Sequence, residues 1–357
     1  MADVSVELVA IEDVEVHPNA DRLEVARVAG TQVVVPKDAF FPGLMVFYFP
    51  PGLLLPESVS NAFGVTKYLK HAEYPGDGGH SQCRVAGARL RGVPSFGFVV
   101  ETSAAMKAAI CESASWSETF GAVKYEPKPR VDAGEAEPDN DLFHRYTEIE
   151  YLRRMRDRFN GQRVVITEKI HGTNCRVGLV NGEWMAGSHK IRRKQSDSCM
   201  YWEPLKHLGV RSLLTDLAGD GSRFKSAILF GEIYGPGVQD MDYGVPRGQR
   251  HFRVFDISVD GSYVTWSELL RLCNKYALLP VPVLGEVYYE DGCIDNDIDG
   301  KTFLGEHSGK FKGREGIVIR VNYDGMHAIE PFDTAGRLIA KVTSADCLDR
   351  QDATDDE

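Results

Sequence analysis

A short β-branched segment that ends in a lysine constrains this chain most. Residues 164–167 read Val-Val-Ile-Thr, and the chain then continues as Glu168-Lys169-Ile170-His171-Gly172-Thr173-Asn174. β-Branched residues favour a strand. A strand that ends in Lys-x-x-Gly delivers a primary amine into a turn, where the glycine lets the backbone approach a phosphate closely. Because Lys-x-x-Gly also describes an ordinary surface turn, the motif is a hypothesis until other segments agree with it.

Three later segments place charged residues on predicted strands. Glu232 lies between two glycines in an otherwise apolar strand, and a buried carboxylate needs a partner. Glu315 stands at the head of a β-branched strand, a position suited to holding a hard divalent cation through oxygen. Lys341 is the lone lysine of a third strand. Each one alone fits a solvated charge on an edge strand, but the order Lys, Glu, Glu, Lys across four strands is far less frequent by chance.

This order resembles the covalent nucleotidyltransferases, the superfamily of ATP-dependent DNA and RNA ligases and messenger-RNA capping enzymes. The resemblance covers roughly residues 150–345 and fills motifs I, III, IIIa, IV and V, in that order, with Lys169, Glu232, Phe252 to Ile257, Glu315 and Lys341. The run from Lys169 to Asn174 is similar to that of nick-sealing RNA ligases, whereas DNA ligases usually carry an aspartate where His171 stands. We therefore favour an RNA ligase over a DNA ligase.

The resemblance implies a reaction in three steps. Lys169 takes AMP from ATP, AMP passes to a 5′-phosphate, and a 3′-hydroxyl then attacks that phosphate and releases AMP. A lysine with the ordinary pKa of about 10.4 is protonated at pH 7. We therefore expect a cofactor, Mg²⁺ or Mn²⁺, to lower the pKa of Lys169 together with Lys341. The implied partner is RNA with 3′-hydroxyl and 5′-phosphate ends, in a duplex with RNA or DNA, and the implied role is nick repair.

The resemblance also assigns the individual site residues. The catalytic set is Lys169, Glu232, Glu315, Lys341 and His171, with Glu315 as the metal ligand. The nucleotide-binding set is Glu168, Ile170, Gly172, Asn174, Lys190, Phe255 and Arg192, in which Phe255 stacks on adenine. Glu232 contacts the ribose, while His171 and Asn174 serve the polynucleotide ends.

Two positions depart from the family pattern. Motif Ia, which often carries an arginine, reads Gly187-Ser188-His189-Lys190 here, so the sugar contact falls to Lys190, Arg192 or Arg193. Motif V often has a second lysine, and Thr343 occupies that position.

The first hundred residues carry a separate signal of short alternating strands, at 15–28, 32–35, 44–49 and 96–100. The turn His17-Pro18-Asn19-Ala20-Asp21-Arg22-Leu23 and the later run 88–95 are similar to OB-fold modules that bind transfer RNA. Such barrels bind single strands through basic and aromatic side chains, which makes Arg84, Arg89, Arg91 and Phe96 candidate contacts. A solvated strand face explains each of them equally well. The predicted nucleic-acid-binding set is Arg89, Arg91, Arg192, Arg193 and Asn174.

These signals predict an α+β protein. We expect an N-terminal OB-fold β-barrel over residues 1–105, a linker with a helix over 106–145, a nucleotidyltransferase domain on mixed antiparallel sheets over 146–345, and an acidic tail over 346–357. An OB module in front of the transferase resembles the Deinococcus-type RNA ligases, also called RNA ligase family 5. The chain shows neither a secretory leader nor an apolar run of transmembrane length. We therefore expect a cytoplasmic monomer that does not bind membranes.

The distribution of charge and the spacing of the cysteines restrict where a nucleic acid or a metal could bind. The formal net charge is -11, but the acidic residues concentrate in the linker, near residue 295 and in the tail. Affinity for phosphate follows local patches, and arginines gather at 153–158, 192–193 and 247–253. The seven cysteines show no metal-ligand spacing, so we interpret them as reduced packing residues.

Two alternatives stay open. One is a DNA ligase or a GTP-dependent capping enzyme, which the nucleotide that labels the protein would distinguish. The other is a non-catalytic RNA-binding protein built on a decayed transferase. The presence of all four charged motif residues disfavours decay.

Overall fold

The protein divides into two compact units. The computed structural model describes residues 4–72, 82–125, 135–305, 313–322, 337–344 and 347. The first unit is Ala2–Lys128 and the second is Pro129–Cys347. The predicted linker over 106–145 therefore contributes to both units. In the described residues, no helix has the length and apolar character needed to cross a membrane.

The first unit is built from short antiparallel strands. Those described are β1 (Glu7–Val16), β2 (Leu23–Val28), β3 (Thr31–Pro36), β4 (Met45–Phe49), β5 (Leu53–Pro56), β6 (Lys70–Ala72), β7 (Gln82–Arg84), β8 (Gly87–Leu90), β9 (Val93–Phe96), β10 (Phe98–Glu101) and β11 (Val123–Lys124). Its described helices are α1 (Glu57–Ala62), α2 (Thr102–Ala105) and α3 (Trp116–Thr119). The strands form sheets in the orders β10-β4-β1-β2-β3 and β11-β5-β7-β6, with β8 and β9 as a separate hairpin.

Aromatic residues from the predicted linker complete the core of this unit. Phe120 is fully buried and packs edge-on against Phe47, with ring centroids 5.1 Å apart. Trp116 of α3 lies 4.9 Å from the same ring. The strand β11 pairs with β5. This stretch is therefore part of the first folded unit, because its apolar side chains fill the space under β4.

The His17 run has a structural role in the first unit. The buried His17 accepts the backbone N–H of Asn19 at Nδ1 (3.0 Å), and its Nε2 lies 3.0 Å from the carbonyl oxygen of Leu90. Asn19 donates through its side chain to the carbonyl of Arg91 (3.1 Å). These bonds tie the β1–β2 turn to the β8–β9 hairpin.

The candidate RNA contacts on the β8–β9 hairpin differ in their exposure to solvent. Arg89 and Arg91 lie near its tip and are exposed. Phe96 lies at its base and is only 3% exposed, so the expectation that its ring stacks on a base is wrong. Arg84 lies over the ring of Tyr125, 4.3 Å from its centroid.

The second unit contains two larger sheets. Its described strands are β12 (Ala136–Glu137), β13 (Glu150–Tyr151), β14 (Arg163–Lys169), β15 (Thr173–Val180), β16 (Glu183–Ser188), β17 (Arg192–Arg193), β18 (Ser226–Tyr234), β19 (His251–Val259), β20 (Ser262–Tyr263), β21 (Val283–Tyr288), β22 (Gly316–Val321) and β23 (Ile339–Thr343). Its described helices are α4 (Arg156–Phe159), α5 (Leu208–Ala218), α6 (Trp266–Lys275) and α7 (Asp295–Ile298). One sheet runs β12-β17-β16-β15-β18-β19-β20 and the other β13-β23-β22-β14-β21. Neighbours are antiparallel apart from β13 and β23, which confirms the predicted α+β class with mixed sheets.

The two faces of the seven-stranded sheet are covered differently. Leu229 of β18 packs in one core with apolar residues of α5 and α6. The next residue, Phe230, points to the other face. There it packs with Phe143 and Tyr146 from the segment before β13. Both faces are therefore covered by apolar side chains, which fixes the register of β18 and the position of Glu232.

Candidate active site

Lys169 is held by an ion pair at the end of β14. Its backbone lies opposite Gly316 of β22, so Glu315 immediately precedes the partner strand. Lys169 Nζ donates to Glu315 Oε1, and the two side chains are 26% and 6% exposed. Burial alone would lower the pKa of Lys169, but the charge of Glu315, the hydrogen bond to it and the charge of Glu232 together outweigh burial, and the pKa is raised. The pair thus holds the amine in its protonated form.

Glu232 lies beside this pair, and its charge state differs from that of Glu315. Burial raises its pKa to about 8, and repulsion from Glu315 adds to the shift, while attraction to Lys169 opposes it. In contrast, the pKa of Glu315 is lowered: burial opposes the shift, but Lys169 and His171 stabilise the carboxylate. Near neutral pH the site therefore contains one neutral and one ionised carboxyl group.

Gly172 brings the loop after Lys169 against β18. A Cβ at this position would collide with the carbonyl oxygen of Ile233 and lie 2.9 Å from Cγ of Glu232. The backbone N–H of Gly172 also donates to Glu232. The close approach to β18 therefore requires glycine here, a reason additional to the approach to phosphate that the sequence suggested.

His171 is oriented by two residues that sequence reasoning missed. Its Nε2 lies 2.8 Å from Asp240 Oδ1, and its backbone N–H donates to the hydroxyl of Tyr243 (2.7 Å). Its Nδ1 faces Glu315, 3.7 Å from Oε2. Asp240 and Tyr243 lie between β18 and β19, in a polar segment whose sequence has no periodic pattern.

Cys347 also reaches this site, although the sequence placed it in the tail. Its side chain is fully buried. Its Sγ, a ring nitrogen of His171 and a carboxylate oxygen of Glu315 lie within 4.8 Å of one another. Spacing along the chain gave no signal for this group, because its members lie far apart in sequence.

Lys341 lies on the same sheet face as Lys169. Thr343 of β23 is opposite Gly316, which is opposite Lys169, and Lys341 is two residues from Thr343. Its Nζ lies 4.8 Å from the ring centroid of Tyr151.

Glu168 and Ile170 flank Lys169 and point elsewhere. Glu168 accepts hydrogen bonds from the hydroxyl of Thr302 and from the backbone N–H of Phe303 (2.8 Å). Burial raises the pKa of Glu168, although both hydrogen bonds oppose the shift. Ile170 is 4% exposed and packs in the main core. Their side chains thus hold the backbone on either side of the lysine.

Two predicted nucleotide contacts lie on the sheet near Glu232. Asn174 is opposite Glu232 in register, and its Oδ1 is buried with no hydrogen-bond partner in the described part of the chain. Phe255 is half-buried on β19 and packs edge-on against Tyr146, with ring centroids 4.8 Å apart. An unpaired buried oxygen and a half-exposed ring are the types of group that bind a polar, aromatic ligand.

The basic residues near motif Ia are engaged at the sheet edge. Arg192 pairs with Glu183 (2.5 Å), and Arg193 lies 3.5 Å from Glu135. Lys190 is half-buried in the turn before β17.

A buried arginine that the sequence analysis missed lies on β15, beside motif Ia. Arg176 is opposite Gly187 and donates to the carbonyl oxygens of Phe143 (2.5 Å) and Ser188 (3.1 Å). Burial lowers the pKa of Arg176 to about 10. This arginine ties the segment before β13 to the sheet.

Other predicted channel arginines also pair with acids. Arg154, Arg156 and Arg250 contact Glu150, Asp291 and Glu203 at 3.2, 3.1 and 3.0 Å. These pairs offset part of the positive charge that their sequence positions suggested.

The chain matches known proteins in sequence and in fold. Residues 162–343 match the RNA ligase family, and residues 4–102 match a family of OB-fold domains, which confirms the predicted N-terminal OB fold. No curated protein sequence matches the chain.

Solved structures of Naegleria gruberi RNA ligase share the fold across nearly the whole chain. A mutant with AMP and Mn has a TM-score of 0.74 at 19% identity, covering 97% of this chain and 98% of that chain. A mutant with ATP and Mn has a TM-score of 0.75 at 20% identity, covering 97% and 99%. The same protein with PPi has a TM-score of 0.72 at 19% identity, covering 98% and 99%.

Proposed function

We propose that this chain, which belongs to the RNA ligase family, joins RNA ends in an ATP-dependent reaction that passes through lysyl-AMP at Lys169. The observation that carries the proposal is the partly buried Lys169–Glu315 pair beside Glu232, at the junction of three strands. Solved Naegleria structures hold ATP, AMP or PPi, the reactant and the products expected of an ATP-dependent ligation. Their shared fold supports the same nucleotide here.

The residues at Lys169 fit a divalent cation of the Mg²⁺ or Mn²⁺ type. Hard cations prefer carboxylate oxygens, and Glu315 and Glu232 both face the lysine. A cation held by Glu315 would supply positive charge beside the α-phosphate of ATP. Solved Naegleria structures with ATP or AMP also contain Mn, which supports a metal-dependent reaction.

Lys169 supplies the nucleophile in the first step. Lys169 first gives one proton to solvent; its Nζ then forms a bond to the α-phosphorus as the bond to the pyrophosphate oxygen breaks, pyrophosphate leaves, and the attacking nitrogen gives a second proton to solvent. Because Glu315 raises the pKa of Lys169, the amine is a poor nucleophile while this pair is intact. Release of Lys169 from Glu315 is therefore part of the activation that we propose.

His171 and Asn174 are proposed to act on the polynucleotide ends. Asp240 and Tyr243 hold His171 beside Glu315, and Asn174 presents its buried Oδ1 next to Glu232. In the second and third steps, AMP moves from Lys169 to a 5′-phosphate, and a 3′-hydroxyl then displaces it. The contacts of Glu232 with ribose and of Phe255 with adenine are part of the same proposal.

A nicked duplex is the proposed substrate, and the Deinococcus type is the proposed subfamily. The OB unit comes first in the chain, and its β8–β9 hairpin exposes Arg89 and Arg91. This order of modules and the exposed basic tip support contact with the nucleic acid flanking a break. The monomeric state and the cytoplasmic location stay predictions from the sequence.

End joining tests the proposal. Purified protein with ATP and Mg²⁺ should seal a nicked RNA duplex, and GTP should not replace ATP. Lys169→Ala should lose this activity yet still seal a 5′-adenylylated strand, since the last step does not use the amine. Sealing with GTP alone, or no sealing of any 3′-hydroxyl and 5′-phosphate ends, would overturn it.

A further inference from the structure

We infer that His171, Glu315 and Cys347 form a binding site for a zinc-class cation. Their donor nitrogen, oxygen and sulfur atoms lie within 4.8 Å of one another, and Nδ1 of His171 is 3.7 Å from Oε2 of Glu315. An imidazole, a carboxylate and a thiolate form the mixed ligand set typical of Zn²⁺, whereas Mg²⁺ prefers oxygen alone. This site is therefore chemically distinct from the hard cation proposed for catalysis.

The orientation of His171 is an independent argument for the site. Nε2 lies 2.8 Å from Asp240 Oδ1, so a hydrogen bond there fixes the Nε2 side of the ring and turns Nδ1 toward Glu315. Metal-binding histidines usually donate their other ring N–H to a carboxylate in this way. Tyr243 holds the backbone of the same residue at 2.7 Å. The imidazole is thus oriented as a ligand by groups outside the cluster.

The backbone around Cys347 is also held in place. Its N–H donates to the Ser344 hydroxyl (3.2 Å), which donates in turn to the carbonyl oxygen of Arg314 (3.1 Å). Since Arg314 directly precedes Glu315, these bonds fasten the thiol ligand to the carboxylate ligand.

The spacing suits a tetrahedral ion with one open position. Donors around zinc lie roughly 3.3–3.8 Å apart, because the bonds are about 2.0–2.3 Å long. The His171–Glu315 distance already falls in this range, and Cys347 Sγ lies within 4.8 Å of both donors. Cys347 is fully buried, while the His171 and Lys169 side chains are 12% and 26% exposed. The ion therefore enters from the Lys169 side, where water or a phosphate oxygen completes its shell.

Binding engages two residues of the proposed reaction. The Cys347 thiol loses its proton to solvent as Sγ binds the ion, and His171 and Glu315 are occupied by the same ion. A zinc-class cation should therefore inhibit lysine adenylylation. This consequence rests on the proposed function, but the binding itself does not.

Cobalt absorption tests the site without any assay of activity. Titration of the full chain with Co²⁺ should produce a thiolate-to-cobalt charge-transfer band that saturates at one equivalent and disappears on addition of Zn²⁺. Cys347→Ser should remove the band, whereas Cys111→Ser and Cys293→Ser, at exposed cysteines, should keep it. Absence of the band in the parent protein, or its persistence in a folded Cys347→Ser variant, would overturn the proposal.

Two further variants keep the test decisive if Cys347→Ser does not fold. His171→Gln should remove tight Co²⁺ binding. Asp240→Asn should keep the band but weaken affinity about 10- to 100-fold, because it alters only the partner of the ligand. Unchanged affinity in both variants would contradict the site. Labelling with ATP in metal-exchanged samples reports the proposed function separately, so failure of either claim can be recognised.

Discussion

At the residue scale, the site combines charged groups that were visible in the sequence with groups that were not. Lys169, Glu232 and Glu315 could be predicted because each interrupts or ends an apolar strand, where a charge needs a function or a partner. Asp240 and Cys347 could not, since each lies in an irregular mixture of polar and apolar residues with no period that distinguishes it. Only the fold brings them to His171.

The carboxylate that pairs with Lys169 should control adenylylation. Glu315→Gln removes the negative charge that faces the Lys169 amine. The same change removes the proposed ligand of the metal ion. We expect the loss of the proposed metal ligand to outweigh the gain from a freed amine, so the rate of lysine labelling by ATP should fall by roughly 10²-fold or more, as for the loss of one preorganised electrostatic contact. Single-turnover labelling over a range of Mg²⁺ concentrations measures this, with the exposed Glu290→Gln as a control. Unchanged labelling at limiting Mg²⁺ would remove Glu315 from the site.

The raised pKa of Glu232 should appear as a pH dependence of stability. Its folded pKa is about 8, against 4.5 as the ordinary value. Between these values the folded state binds more protons than the unfolded state, so this group makes the free energy of unfolding fall as pH rises. Glu232→Gln carries no proton that titrates in this range, so it removes this decrease in the free energy of unfolding. Relative to the parent, its stability should increase from pH 4.5 to about 8, by more than about 1 kcal/mol, and then level off.

Denaturant unfolding at several pH values measures this difference for Glu232→Gln. The exposed Glu290→Gln is a suitable comparison, because it changes the same residue type away from the site. A difference that does not vary with pH would show that Glu232 keeps an ordinary pKa.

At the scale of elements, strands were easier to predict than the segments between them. The strands predicted at 32–35 and 44–49 match β3 and β4. In β4 both faces are buried, with Val46 and Tyr48 in one core and Phe47 and Phe49 in another. The stretch 106–125 is part of the predicted linker, yet Phe120 is fully buried and β11 pairs with β5. Isolated aromatics among polar residues show no period, so their burial depends on tertiary contacts.

The end of β14 should depend on the Glu168 contact with the 302–304 turn. Glu168→Ala leaves the N–H of Phe303 and the hydroxyl of Thr302 without this acceptor, which we expect to cost about 1–3 kcal/mol. A double-mutant cycle with Thr302→Val, followed by denaturant unfolding, measures the coupling energy between the Glu168 and Thr302 side chains. We expect a coupling energy of about 1 kcal/mol. Additive effects would show that the two side chains do not interact.

At the scale of the whole molecule, each unit has its own hydrophobic core. The predicted membership of the RNA ligase family and the predicted N-terminal OB fold are confirmed. The order of motifs along the chain made this possible, because five short segments in one order carry more information than any of them alone. The finer identity of the substrate is not written in such motifs, because the arginines proposed to contact the nucleic acid are scattered along the chain.

The OB hairpin should affect RNA affinity without affecting chemistry. Replacing both exposed arginines, in Arg89→Ala/Arg91→Ala, should weaken binding of nicked RNA and reduce the slope of log K against log salt by about 1–2. Labelling of the lysine by ATP should stay the same. Arg27→Ala, at an exposed arginine paired with Glu15, serves as the matched control. An unchanged salt slope in the double variant would exclude the hairpin from the RNA contact.

The most direct test of the central claim is to map the covalent intermediate. Protein incubated with Mg²⁺ and α-phosphate-labelled ATP, then denatured and digested, should carry AMP on the peptide that contains Lys169. Lys225→Ala, at an exposed lysine before β18, should label like the parent, and Lys169→Ala should not label. AMP on another residue, or no label in folded parent protein with either Mg²⁺ or Mn²⁺, would contradict the account.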